Sequence, residues 1–125
     1  MQRILIIDDE RQVRDVLRQI LDRAGFLTEV AEDGEEGLRR FREQPADLVI
    51  TDILMPGKDG LETIEEMVRD HPGLPIIAIS GGGPGEKAQF ALETAQVCGA
   101  GRILAKPFSR QEILAMVRDA LAGRS

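Results

Sequence analysis

Residues 47–60 read Asp47-Leu-Val-Ile-Thr-Asp52-Ile-Leu-Met-Pro56-Gly-Lys-Asp59-Gly60. Asp47–Thr51 is a short run rich in β-branched residues, the kind that lies buried on both faces of a parallel sheet. Pro56 and Gly57 turn the chain. Asp59 then caps a helix, with Glu62 three residues on, an apolar face of Leu61, Ile64 and Val68, and Pro72 past its end. A connector of this kind needs the turn and the cap. It has no need of an aspartate at the mouth of the strand, where Asp52 stands.

The same strand-then-helix rhythm extends in both directions. Further strands are expected at Arg3–Ile7, Leu27–Val30, Pro75–Ile79 and Arg102–Leu104. The first helix is expected over about Glu10–Ala24, with Val13, Leu17, Ile20, Leu21 and Ala24 on one face and Gly25 ending it. The second covers about Glu35–Glu43, with Leu38 and Phe41 inward. The fourth covers about Gly85–Cys98, with Ala88, Ala91, Leu92 and Ala95 on one face. The fifth opens on the capping box Ser109-x-x-Glu112 and carries the stripe Ile113, Val117, Ala120 and Leu121. Five such units in strict alternation describe an α/β domain, a doubly wound (βα)5 sandwich with a parallel sheet and helices on both faces. The flavodoxin-like strand order 2-1-3-4-5 is the expected one, and folds of this kind bind ligands at the carboxyl ends of the strands, where strand order reverses.

Composition narrows the function. The 125 residues suit one domain, expected to span 1–125 with no output domain. A net charge of −6 disfavours contact with nucleic acid or an anionic membrane surface. With four Phe and neither Tyr nor Trp, the core is aliphatic and base-stacking platforms are lacking. Cys98 is the only cysteine, so no internal disulfide can form. The apolar run Ile4–Ile7 is too short for a signal peptide or a membrane span, and a cytoplasmic location is expected.

Asp8 and Asp9 close the first strand and Asp52 closes the third. In the order 2-1-3 these strands are neighbours, so the three carboxylates converge. Two unit charges about 4 Å apart repel by roughly 4 kcal/mol at an effective dielectric near 20. A hard divalent cation relieves this, and Mg2+ commonly takes one or two carboxylates while keeping waters for a phosphate. Taken alone, Asp8-Asp9-Glu10 reads equally well as an acidic cluster favoured by a helix dipole. Ser80 ends the fourth strand and Lys106 follows the fifth. Either could be an ordinary turn or surface residue. Together with Asp52 they offer a nucleophile, a cation and a hydroxyl donor, the parts that phosphoryl transfer to a carboxylate requires.

With these residues assembled, the chain resembles the receiver domain of two-component response regulators, of the stand-alone type, over nearly all its length. The resemblance rests on Asp8-Asp9, the Asp52-x-x-Met55-Pro56-x-x-Asp59-Gly60 segment, Ser80, and Lys106-Pro107-Phe108. The ordered set is far more specific than any one motif. It implies that Asp52 accepts phosphate from a sensor histidine kinase or phosphotransfer protein. It implies Mg2+ ligation by Asp9, Asp52 and the backbone carbonyl of Leu54, with Asp8 acting mainly through water. Lys106 would contact the phosphoryl group or, before modification, Asp52. Ser80 would swing toward the phosphate, and the Lys106–Pro107 bond would be cis. The domain would catalyse nothing beyond its own phosphorylation and dephosphorylation. Its signal would pass to a downstream protein through the helix 4–strand 5–helix 5 face.

Two features depart from the family pattern. Ile103 stands where many receivers carry Tyr or Phe, and a branched aliphatic cannot reproduce an aromatic swing. The interval from Ser80 to Lys106 is a few residues long for the family and begins with Ser80-Gly81-Gly82-Gly83-Pro84-Gly85, either a switch loop or a simple connector. Phe90, Thr94 and Val97 fall off the main stripe of the fourth helix. His71 reads as a surface residue of a helix-end turn and Cys98 as a small buried residue. Three other readings compete. One is a receiver cut from a longer regulator. A second is a Mg2+-dependent phosphohydrolase, which Leu54 disfavours because such enzymes often place an aspartate there. The third is a flavin-binding module, disfavoured by the lack of Trp and Tyr.

Overall fold

Side chains alternate between two apolar layers along the central strands, and this alternation sets the architecture. In a computed structural model, residues 1–53, 60–80, 93–96 and 98–123 are described. Ile4, Ile6, Leu48, Ile50, Ile77 and Ile79 point to one face. Leu5, Ile7, Val49, Ile76 and Ala78 point to the other. This is the period-two pattern of a strand covered on both sides. Each fully buried aliphatic side chain of this kind contributes about 1.5–3 kcal/mol.

The strands are β1 (Arg3–Ile7), β2 (Leu27–Ala31), β3 (Leu48–Asp52), β4 (Ile76–Ser80) and β5 (Arg102–Ala105). All neighbours pair in parallel, in the order β2-β1-β3-β4-β5. Helices α1 (Arg11–Arg23) and the C-terminal helix (Arg110–Ala122) cover one face through Leu17, Leu21, Ile113 and Val117. Helices α2 (Gly34–Glu43) and α3 (Gly60–Asp70) cover the other through Leu38, Phe41, Ile64 and Met67, joined by Ala95 from helical residues 93–96. The doubly wound fold and the 2-1-3-4-5 order are therefore as expected.

The local signals act as their chemistry requires. Gly25 adopts φ +95 just past α1, a conformation that costs glycine little. The Asp33 carboxylate accepts from the Glu36 N–H at the start of α2. Ser109 and Glu112 form the reciprocal capping box. The edge strands β2 and β5 differ from the expectation of two-sided burial. They are only partly covered, and Leu27 is 42% exposed, because the helical layers centre on β1, β3 and β4. Met67 and Thr63 are buried on α3 beside the expected Ile64, whereas Leu61 and Val68 are half-buried. Of the expected fourth-helix face, Ala95 is buried. Ala88, Ala91 and Leu92 lie outside the described residues, as do Phe90, Val97 and the Gly81–Gly85 loop. Thr94 is half-buried. Cys98 is half-buried too, less enclosed than expected, and its thiol donates to Glu65 Oε1 at 3.2 Å. His71 is exposed as expected and meets Phe41 edge to face at 4.7 Å.

One close approach ties the fold to the site. A Cβ added at Gly60 would fall on the Asp52 carbonyl oxygen and lie 2.6 Å from Ile53 Cα. The first residue of α3 therefore rests directly on the end of β3, where only glycine fits. Gly60→Ala is expected to destabilise the domain by about 2–3 kcal/mol, since neither colliding group is a flexible side-chain tip. Gly101→Ala, where an added Cβ meets nothing within 4 Å, is expected to be close to neutral. Urea unfolding midpoints compare the two variants.

Candidate functional site: an acidic pocket around Lys106

The central strands and β5 end within about one residue of one another in the ladder. Ile7 pairs with Thr51, Asp52 with Ile79, and Ser80 with Ala105. The ladder continues one rung beyond the strands. The Asp8 N–H donates to the Ala31 carbonyl at 3.1 Å, the Ile53 N–H to Ile79 at 3.1 Å, and the Lys106 N–H to Ser80 at 2.9 Å. The backbone at Asp8, Asp52, Ser80 and Lys106 is thus held by the sheet itself, which is why sites on strand ends are precise. The Lys106–Pro107 bond is cis, as the resemblance implied.

Lys106 turns its ammonium into the pocket. Its Nζ donates to Asp8 Oδ2 and to Asp52 Oδ2, each at 3.0 Å, and to Glu10 Oε1 at 3.4 Å. Asp8 and Asp52 are buried, whereas Asp9 and Glu10 are exposed at the rim. Each of these four residues offers a carboxylate oxygen, and the four oxygens lie within 4.8 Å of one another. Like charges at that separation repel by roughly 3 kcal/mol per pair at an effective dielectric near 20. Lys106 is the only ammonium or guanidinium shown contacting these carboxylates among the described residues.

Two ionisations register the strain. Burial pushes the Asp8 carboxyl above the ordinary carboxylate value. The neighbouring Asp52 charge adds to the rise, while the Glu10 N–H and Lys106 oppose it. Burial alone would lower the Lys106 value, but its hydrogen bonds to Asp8 and Asp52 and their charges prevail and raise it above that of an ordinary lysine. Lys106 is therefore a fixed cation, and Asp8 is the carboxylate whose charge is dearest to keep. Ser80 is buried with its Oγ unpartnered among the described residues. An orphaned buried hydroxyl is uncommon in a folded protein.

Asp8, Asp9, Asp52, Ser80 and Lys106 thus gather at one sheet edge, as the sequence led us to expect. Leu54, Met55, Pro56 and Asp59 lie outside the described residues. Two contributors were not foreseen. Glu10, which taken alone read equally well as part of a helix-start cluster, reaches Lys106, and its side chain makes no cap bond to α1. Arg14 donates from Nη1 to the Asp8 backbone carbonyl at 2.7 Å and braces the end of β1. A third acid after Asp8-Asp9 was the only signal for Glu10. Nothing in the local sequence marked Arg14.

Residues 4–118 match the model of the response regulator receiver domain. The chain belongs to that family. Receiver domains are signalling phosphoacceptors rather than conventional enzymes. This receiver is 35% identical over 121 residues to the transcriptional regulatory protein CpxR of Klebsiella pneumoniae, and the match covers 97% of this chain and 50% of that protein. It is 35% identical over 119 residues to the response regulator MprA of Mycolicibacterium vanbaalenii, covering 95% and 50%. The crystal structure of the receiver domain of NtrX from Brucella abortus superposes with a TM-score of 0.88 at 31% identity, covering 96% of this chain and 98% of that one. The chain spans about half the length of the curated relatives it matches. Among the described residues, no helix of this receiver is long and apolar enough to cross a membrane.

Two outcomes follow for the receiver in metal-free buffer. Lys106→Met leaves Asp8 and Asp52 uncompensated, and the expected cost is about 3 kcal/mol at neutral pH. Loss of the cation raises the Asp8 carboxyl further in the folded state, because Lys106 no longer opposes the effect of burial. A raised carboxyl favours the folded state at low pH and loses that advantage as pH rises. The deficit therefore shrinks between pH 8 and pH 5 in urea titrations. In the parent, the Lys106 contribution is complete below its ordinary value and disappears only in strong alkali. Ser80→Ala removes an unsatisfied buried group and is expected to raise stability by about 1 kcal/mol, read from the same titrations.

Proposed function

We propose that this receiver accepts a phosphoryl group on Asp52 from a sensor histidine kinase or phosphotransfer protein. The observation that carries the proposal is the Asp52 carboxylate, buried at the mouth of β3 and held at 3.0 Å by the Lys106 ammonium. A carboxylate nucleophile needs its developing phosphoryl charge neutralised from several sides. Lys106 would supply one side and the Ser80 hydroxyl a second.

Mg2+ would supply the third. The donor set suits a hard cation, being all oxygen and in excess of the local positive charge. Asp9, Asp52 and the Leu54 carbonyl would hold it directly, with Asp8 acting through water. When bound, the ion neutralises phosphoryl oxygens. Asp52 attacks, Lys106 turns toward the incoming oxygen, and Ser80 donates its hydroxyl proton in a hydrogen bond to another.

The signal would leave through protein–protein contacts on the face of residues 85–98, β5 and the C-terminal helix. Ile103 sits in β5, partly buried against the core layer that contains α2 and α3, so the readout would rely on loop and helix movement rather than an aromatic swing. The acidic balance of these residues argues against their own contact with nucleic acid. We read the domain as a cytoplasmic receiver, and relatives about twice the matched length favour a place within a longer regulator.

A small phosphodonor with Mg2+ is expected to label the protein at one site, detected by intact mass and by acid-stable, base-labile chemistry. Asp52→Asn is expected to abolish the label. Undiminished labelling of that variant would remove Asp52 from the mechanism, and labelling undiminished by chelation would remove Mg2+.

A further inference from the structure

Glu10 is a member of the acidic pocket whose side chain neither the sheet nor helix capping explains. It occupies the N-cap position of α1 with extended backbone angles, yet its side chain makes no bond to the helix, and the first turn of α1 holds no other acid. Its carboxylate lies instead against the outer side of Lys106, at 3.4 Å, with 62% of the side chain exposed. Its backbone N–H meanwhile fixes Asp8 Oδ1 at 2.8 Å. The main chain of Glu10 therefore serves the buried part of the pocket, and its charge stands at the entrance. An ammonium has three N–H donors. Asp8, Asp52 and Glu10 each engage Nζ, so an arriving phosphoryl oxygen finds no donor free of a carboxylate partner.

We infer that Glu10 is a positioning and specificity-determining residue of the phosphoacceptor mouth. It competes with the incoming phosphoryl group for the outer side of Lys106, and so disfavours phosphodonors in proportion to their negative charge. The inference rests on the proposed phosphorylation of Asp52. In that step an Asp52 oxygen forms a bond to phosphorus while the bond from phosphorus to the donor's leaving atom breaks. The electron pair departs with the leaving group, as acetate from acetyl phosphate or as ammonia from phosphoramidate.

The two donors separate the charge effect from a merely structural one. Acetyl phosphate is dianionic near neutral pH and phosphoramidate carries one net negative charge. Labelling rates are measured for the parent, Glu10→Gln and Glu10→Asp at saturating Mg2+, in low and high salt. At low salt, Glu10→Gln is expected to speed labelling by acetyl phosphate about tenfold and by phosphoramidate about threefold, on the order of threefold per unit of donor charge for a solvent-exposed carboxylate. Most of this gain is expected to vanish at high salt. Glu10→Asp, which keeps the charge, is expected to stay near the parent rate. Glu10 is exposed, so these variants are expected to fold, and circular dichroism checks this.

An equal gain with both donors, or no gain, overturns the inference and leaves Asp52 as the acceptor. Absence of label on Asp52 in the parent overturns the functional reading, and the inference falls with it.

Discussion

A single ammonium holds together a pocket that would otherwise repel itself. Lys106 reaches across from the end of β5 to carboxylates at the ends of β1 and β3, 3.0 Å from each. Asp8 and Asp52 are buried, and the Lys106 ammonium compensates charges that burial disfavours. The arrangement needs β1 and β3 side by side, which the 2-1-3-4-5 order ensures. It also needs Lys106 to stand one rung past β5, which its backbone bond to Ser80 ensures. Topology and electrostatics thus constrain each other at this edge.

The same constraint suits the site to the phosphorylation proposed for it. Its resting pairing is adequate and strained, with excess negative charge at the mouth and an unpartnered hydroxyl on Ser80. A divalent cation would relieve the first, and a phosphoryl oxygen would satisfy the second. The scaffold need not rearrange for this. Three aliphatic central strands and a glycine at Gly60 pressed against the end of β3 keep the Asp52 backbone in place. Rigidity lies in the sheet, and exchangeable partners lie in the side chains above it.

The elements and most of the site were legible in the chain, each for a local reason. Strand and helix periods, the Ser109–Glu112 box and Gly25 are short-range signals. Expected and observed boundaries differ by about a residue, and Asp52 and Ser80 are the last residues of β3 and β4, the strands they were expected to close. Edge-strand exposure was not legible, because a five-residue apolar run looks the same in the middle of a sheet and at its margin. Met67 escaped the expected stripe for a related reason: which neighbouring positions on a helix face inward depends on the layer it meets.

What the sequence determined by itself was the alternation of units, the acids and lysine at strand ends, and the family those residues resemble. These depend on periodicity, turn chemistry and ordered spacing, all carried along one dimension. Only the tertiary structure decided which charges touch. It placed Lys106 between Asp8 and Asp52, turned Glu10 away from its helix toward that ammonium, and brought Arg14 onto the Asp8 carbonyl. Contacts between residues nearly a hundred positions apart follow from strand order and side-chain direction in space. The trio first visible in the sequence, Asp8, Asp9 and Asp52, is in the folded domain a pocket of four carboxylates gathered around one lysine.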